Sequence, residues 1–279
     1  MTPLSLERVV ACLTSPTRRA GASAWEATTL DLAGGGIFGG ELLGQSISIA
    51  SQLDPTMPVR SISAVFPRGA RDTGSLEFTS AVLHKGSAYS TQRSEVHQTD
   101  RDGAPVPCFS STVVCHRTAA GVDHGATMPG AAGRPDDARR VDLTIIPWET
   151  RIVGDTDLDE RARQPNELML WMHVPVAVGD GLALHQSLLA YLSDLTLIGT
   201  ALLQHDGWSQ LDAHATLRTS VITHQLVFHR QFRVDEWLLI HQTSPAAADG
   251  SAFGVGHVYS QDGRLVASIV QESMIRVPG

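Results

Sequence analysis

Apolar positions crowd into one long run between residues 182 and 203: Leu-Ala-Leu-His-Gln-Ser-Leu-Leu-Ala-Tyr-Leu-Ser-Asp-Leu-Thr-Leu-Ile-Gly-Thr-Ala-Leu-Leu. Strong helix formers and no proline predict a helix there. Apolar side chains fall on every side of it, the pattern of a helix wrapped by protein all round. His185, Gln186, Ser193 and Asp194 interrupt the run too often for a membrane span. A second helical stretch covers residues 38–53, and Val9, Val10 and Leu13 suit a short amphipathic helix near the start. After the long helix, strand-like runs occupy about 220–232, 237–243, 252–260 and 265–276. Gln261-Asp262-Gly263-Arg264, between the last two, carries an Asp-Gly hairpin signal.

The pattern repeats. Val65-Phe66-Pro67-Arg68 matches Val227-Phe228-His229-Arg230, Gly86-Ser87-Ala88-Tyr89 matches Gly250-Ser251-Ala252-Phe253, and Asp102-Gly103 matches Asp262-Gly263. The three blocks keep their order and similar spacing, and a period this long means duplicated domains. Helix followed by antiparallel strands, twice over, predicts an α+β protein. The expected division is 1–116 and 166–279, with a glycine- and proline-bearing linker over 117–165 that crosses the surface.

Polar residues inside apolar runs are the chemical candidates. Asp194 has Ala190, Tyr191, Leu197 and Ile198 as its helical neighbours, and none is a cation. Such a carboxylate either pairs with a group from elsewhere in the fold or lies on the helix's one wet edge. In the last strand Leu265, Ala267, Ile269, Gln271, Ser273 and Ile275 share one face, so Gln271 is expected to point inward. It is either a core amide satisfied by backbone or a working group. In the run near 220, Val221 and Thr223 share a face, which would turn Thr223 into the same interior unless it is simply a strand former. Laying the repeats over one another sets Gln271 on Ser111 and Asp194 on Ser48. One copy would then be active and the other degenerate.

Composition narrows the field. The 279 residues are 42% hydrophobic and 18% charged, as a globular chain is, and the net charge of −8 excludes general nucleic-acid binding. Cys12, Cys108 and Cys115 form no CxxC pair, and the first residues lack the basic start of a signal peptide, so a cytoplasmic location is expected. His224 and His229 fall on opposite strand faces and no HExxH occurs, so no metal site is expected. Gly34-Gly35-Gly36-Ile37-Phe38-Gly39-Gly40 contains GxGxxG without the βαβ context of a dinucleotide site; Gly39 and Gly40 are better read as opening a tightly packed helix.

These blocks resemble the type II acyl-CoA thioesterases, the TesB-like family. The resemblance is carried by Phe38-Gly39-Gly40-Glu41-Leu42-Leu43-Gly44-Gln45, by Val65-Phe66-Pro67-Arg68-Gly69 and by residues 185–195. Phe228-His229-Arg230, Glu236-Trp237-Leu238-Leu239 and residues 261–272 complete it. It implies a double hotdog, two antiparallel sheets each wrapped around a central helix. It also implies hydrolysis of fatty acyl-CoA by water held between an Asp, a Gln and a Thr or Ser, with no cofactor. Asp194 and Gln271 stand at the first two positions. The third falls on Val221, a departure that leaves Thr223 or Ser220 to supply the hydroxyl. Glu41 stands where many relatives carry Gln. Arg68, Arg230 and Arg276 are candidates for the CoA phosphates. Open sheet edges predict a homodimer or higher homo-oligomer. The competing readings are a non-catalytic acyl-thioester binder, and an enoyl-CoA hydratase, which would pair its Asp with a His; no histidine stands at an evident matching position.

Overall fold

The computed structural model describes residues 4–21, 23–32, 35–213 and 215–277, and the chain divides into two lobes. Lobe 1 is Met1–Gly121 with Asp180–Tyr191; lobe 2 is Val122–Gly179 with Leu192–Gly279. Ala33 and Gly34, part of the glycine-rich stretch, lie outside the described residues.

Lobe 1 opens with helix α1 (Leu6–Thr14), whose first turn is capped by Ser5 Oγ accepting the Arg8 N–H at 3.3 Å. Its central helix is α2 (Gly39–Leu53). Its strands are β1 (Thr17–Arg18), β2 (Ala24–Thr28), β3 (Val59–Val65), β4 (Ser75–Lys85), β5 (Tyr89–Thr99) and β6 (Pro105–His116). They lie in the order β1-β2-β4-β5-β6-β3 with every neighbour antiparallel. Leu42, Leu43, Ile47 and Ile49 of α2 are all buried, so the helix is covered on more than one side. Gly44 makes that possible: a Cβ there would come within 2.7 Å of the Leu13 side chain.

Lobe 2 holds β7 (Arg139–Val141), β8 (Glu149–Ile152), β9 (Leu168–His173), β10 (Arg218–Phe228), β11 (Leu238–Ala248), β12 (Ser251–Ser260) and β13 (Leu265–Arg276). The order is β10-β13-β12-β11-β9-β8-β7, again antiparallel throughout. The predicted Asp-Gly turn joins β12 to β13, with Gly263 at φ 86° and its N–H on Ser260 O at 2.8 Å. Two expectations change here. The helix expected over 182–203 is broken: α3 (Leu182–Ser193) ends where Asp194, Leu195 and Thr196 form a turn, and α4 (Leu197–Leu202) resumes after it. The boundary between the lobes also falls within α3.

The stretch 117–165 also does more than cross the surface. Strands β7 and β8 lie in it and extend the sheet beyond β9. Residues ahead of them cover the face of the sheet that carries Trp171, Leu239 and Tyr259, with Ala132 buried among those side chains and Met128 packed against them. The indole N–H of Trp171 donates to Ala132 O at 3.1 Å. Three large apolar side chains on one face are worth several kcal/mol, roughly 2 kcal/mol each, once removed from water. That drives the segment onto the sheet.

Candidate active site

The turn after α3 is fastened to the sheet by hydroxyls. Thr196 Oγ1 donates to Gln242 Oε1 at 2.8 Å, and Thr200 Oγ1 reaches the same oxygen at 3.2 Å. Gln242 is buried on β11. On the other side of α4, Ile198 and Leu202 pack with Leu217, Val221 and Ile275. Asp194, two residues before Thr196, is thereby held in a fixed turn and is 5% exposed.

A histidine meets it. His224 of β10 lies with Nδ1 3.8 Å from Asp194 Oδ1, 2.8 Å from Gln271 Oε1, and with Nε2 2.9 Å from Ser193 Oγ. Burial holds the imidazole down at about pKa 4, with the Gln271 bond pulling the other way, so the ring is neutral at pH 7. The contact with Asp194 is therefore a ring dipole facing a carboxylate. It is no ion pair, despite the distance. Gln271 Nε2 donates to Ser273 Oγ at 3.0 Å, which leaves Gln271 Oε1 to accept. The network then reads in one direction. The Ser193 hydroxyl donates to His224 Nε2, the Nδ1–H donates to Gln271 Oε1, and the Gln271 amide donates to Ser273.

Asp194 and Gln271 are thus brought to the same nitrogen, Nδ1, of one imidazole. Thr223 is not brought there. Val221 pairs across the ladder with Ser273, Thr223 with Glu272 and His224 with Gln271, because the register slips at Ile222. This β-bulge places one extra residue on β10, and beyond it the parity of the strand is reversed. Thr223 shares the outer face with exposed Glu272, and His224 takes the inner position that alternation had reserved for Thr223. Ser220, the other hydroxyl candidate, pairs with Met274 and donates to the backbone at Val221 O. No glycine or proline marks the bulge, so the sequence carried no sign that a histidine would stand beside the aspartate.

In lobe 1 one helix-to-sheet contact is a pair of serines. Ser111 of β6 donates to Ser46 of α2 at 3.3 Å, both buried; the overlay of repeats had pointed to Ser48, which is only half-buried. A pair of hydroxyls supplies neither a base nor an amide. Among the described residues this lobe buries two acids, Asp54 and, at the start of α2, Glu41. Its Oε2 accepts the Leu30 N–H at 3.0 Å and the Cys12 thiol at 3.6 Å, and burial pushes its pKa up to about 7.

A cleft of about 560 Å³ opens in lobe 2 beside the Asp194 turn, with Leu195 and Thr196 on one wall, Arg139 and Arg140 of β7 on another, and Leu158 and Leu211 among the apolar lining. Of the arginines proposed for phosphates, Arg230 is already committed: it donates to Leu265 O, His124 O and Asp123. The Arg276 stem lies against Gly250. Arg139 and Arg140 line the cleft together with Asp142, Asp157 and Asp159, and Arg139 already donates to Thr156 O at 2.8 Å.

Known proteins share this architecture. Residues 163–274 match the sequence model of the family described as acyl-CoA thioesterase, and this stretch contains Asp194, His224 and Gln271. Human acyl-coenzyme A thioesterase 8 is 27% identical over 265 residues, covering 86% of this chain and 81% of its own. The crystal structure of acyl-CoA thioesterase II TesB2 from Mycobacterium marinum superposes with a TM-score of 0.79 at 28% identity, over 97% of this chain and 99% of that one. A protein of Alicyclobacillus acidocaldarius described as having a hot dog fold superposes with a TM-score of 0.74 at 17% identity, over 97% and 98% of the two chains, a likeness of fold alone. The fold is that of the hotdog thioesterases, and the chain is similar in sequence to acyl-CoA thioesterases over most of its length.

Proposed function

We propose that this protein hydrolyses fatty acyl-CoA thioesters in lobe 2, with Asp194 as general base and Gln271 orienting the attacking water. The supporting observation is that a buried carboxylate and a buried amide, 77 positions apart in the chain, converge on His224 at 3.8 and 2.8 Å. Water gives a proton to Asp194 as its oxygen bonds to the thioester carbonyl carbon. Collapse of the tetrahedral adduct breaks the C–S bond, and the proton passes from Asp194 to the departing sulfur. A thiol is acidic enough to leave without a metal or a covalent nucleophile. His224 acts on Gln271, whose carbonyl it holds, and so positions the amide. The cleft beside Leu195 and Thr196, next in sequence to Asp194, has the size of a small-molecule site.

The nearness of His224 to Asp194 favours a second reading, an enoyl-CoA hydratase, and the sequence had shown no histidine for it. Hydration needs a group that exchanges protons with substrate. Both nitrogens of His224 are engaged by Ser193 and Gln271, and the ring is 1% exposed, which favours hydrolysis. Free-CoA release and hydroxyacyl-CoA formation, measured side by side on saturated and enoyl-CoA substrates, separate the two. For hydrolysis, Asp194→Asn should lower kcat by about 100-fold or more while the circular dichroism spectrum stays unchanged. Turnover close to wild type would remove Asp194 from the reaction.

A further inference from the structure

We infer that Ser273 is the third group on the attacking water, supplying from β13 the hydroxyl that Val221 of β10 cannot. The inference rests on the hydrolase reading above. Ser273 is 3% exposed and shares the inner face of β13 with Gln271. It is the ladder partner of Val221, so a hydroxyl on one strand stands directly beside an apolar side chain on the other. Side chains opposite one another in an antiparallel ladder lie about 5 Å apart, close enough for either to serve one small molecule.

Donor and acceptor accounting points the same way. Ser273 Oγ accepts one hydrogen bond, from the Gln271 amide, and among the described residues its own O–H donates to no recorded partner. A hydroxyl has two lone pairs and a proton, so one acceptor site and the donor remain for a ligand. Upstream, Ser193, His224 and Gln271 donate in sequence toward Ser273, and each bond in such a chain polarises the next. The chain begins at the residue before Asp194 and ends at the Ser273 hydroxyl. A water that gives one proton to Asp194 must have its other hydrogen accepted, and Ser273 Oγ offers that acceptor. Gln271 Nε2 keeps a second N–H for the water's oxygen. The hydroxyls expected from sequence do not compete: Thr223 is on the outer face, and Ser220 is spent on the backbone.

The test is a set of three variants assayed for CoA release from an acyl-CoA that the wild type hydrolyses. Ser273→Ala should lower kcat by about tenfold or more with KM changed little, since a contact on the nucleophile serves the reaction more than binding. Val221→Thr in the Ser273→Ala background returns a hydroxyl to the same ladder pair from the opposite strand and should restore most of the lost kcat. Val221→Thr alone should stay near wild type. Ser273→Ala within about twofold of wild type, or no recovery in the double variant, overturns the assignment. Failure of the hydrolase reading shows differently: the wild type itself then releases no CoA from any acyl-CoA, and Ser273 loses its role with it.

Discussion

Replacing Glu41 by Gln isolates the cost of one buried carboxyl in lobe 1. Glu41 is fully buried at the start of α2, and burial pushes its pKa from the usual 4.5 up to about 7. In the unfolded chain the same group titrates near its ordinary value. The folded state thus holds its proton more tightly, and the group's contribution to stability is complete below about pH 4.5 and lost as pH rises through about 7. The shift is about 2.5 pH units, so the linkage relation gives a loss of about 1 kcal/mol at pH 5 and about 3 kcal/mol at pH 8. Gln does not titrate and keeps the carbonyl that accepts the Leu30 N–H. Its amide N–H can turn toward Gln45 Oε1, one turn on along the same helix face, which accepts no hydrogen bond among the described residues. Scanning calorimetry of the wild type and Glu41→Gln at pH 5 and pH 8 reads the effect. The variant should exceed wild type by only about 2 to 4 °C at pH 5 and by roughly 6 to 12 °C in the lobe 1 transition at pH 8. An equal difference at the two pH values would show that Glu41 ionises like a solvated carboxyl, and the reasoning from burial would fail.

Lobe 2 has the opposite pH dependence. His224 titrates at about 4 when folded, below its ordinary 6.5, so its contribution is present above about pH 6.5 and disappears as pH falls through about 4. Against His224→Gln, the wild type should lose about 2 kcal/mol of its advantage between pH 7.5 and 4.5 in urea titrations; a constant gap refutes burial as the cause. Deleting Ile222 removes the bulge and restores strict alternation on β10. Thr223 then faces inward and His224 outward, where its NMR titration midpoint should return toward 6.5. A midpoint still near 4 would mean that the bulge does not set the face of His224. The same deletion should cost most of the CoA-releasing activity, since Gln271 loses its donor.

Much of lobe 2 was legible as pattern. Alternation over 265–276 turned Gln271 and Ser273 inward, and both are buried on β13. Strands β11 and β12 fall on two of the runs of β-branched and apolar residues, and the Asp-Gly signal lies at the turn into β13. These features are local: a period of two and a turn residue act through neighbours in the chain. The overlay of the two copies was less sharp. It assigned Ser48 where Ser46 makes the contact with Ser111, because the single Leu-Leu pair of α2 is too short an anchor to set a register to within two residues.

What the chain determined alone was the kind and order of its elements, the two-lobed duplication, and which polar side chains interrupt apolar faces. Tertiary structure decided where Asp194 stops being helical, which residue of β10 faces it, and what becomes of the stretch between the lobes. Each of those depends on partners distant in sequence. Gln242 ties down the turn after Asp194, the pairing of β10 with β13 absorbs one extra residue at Ile222, and the outer face bearing Trp171 draws 128–138 onto the sheet. A bulge costs a single ladder pairing, and whether a strand takes it is settled by the packing of the side chains it re-aims. That balance is struck only after the sheet has formed.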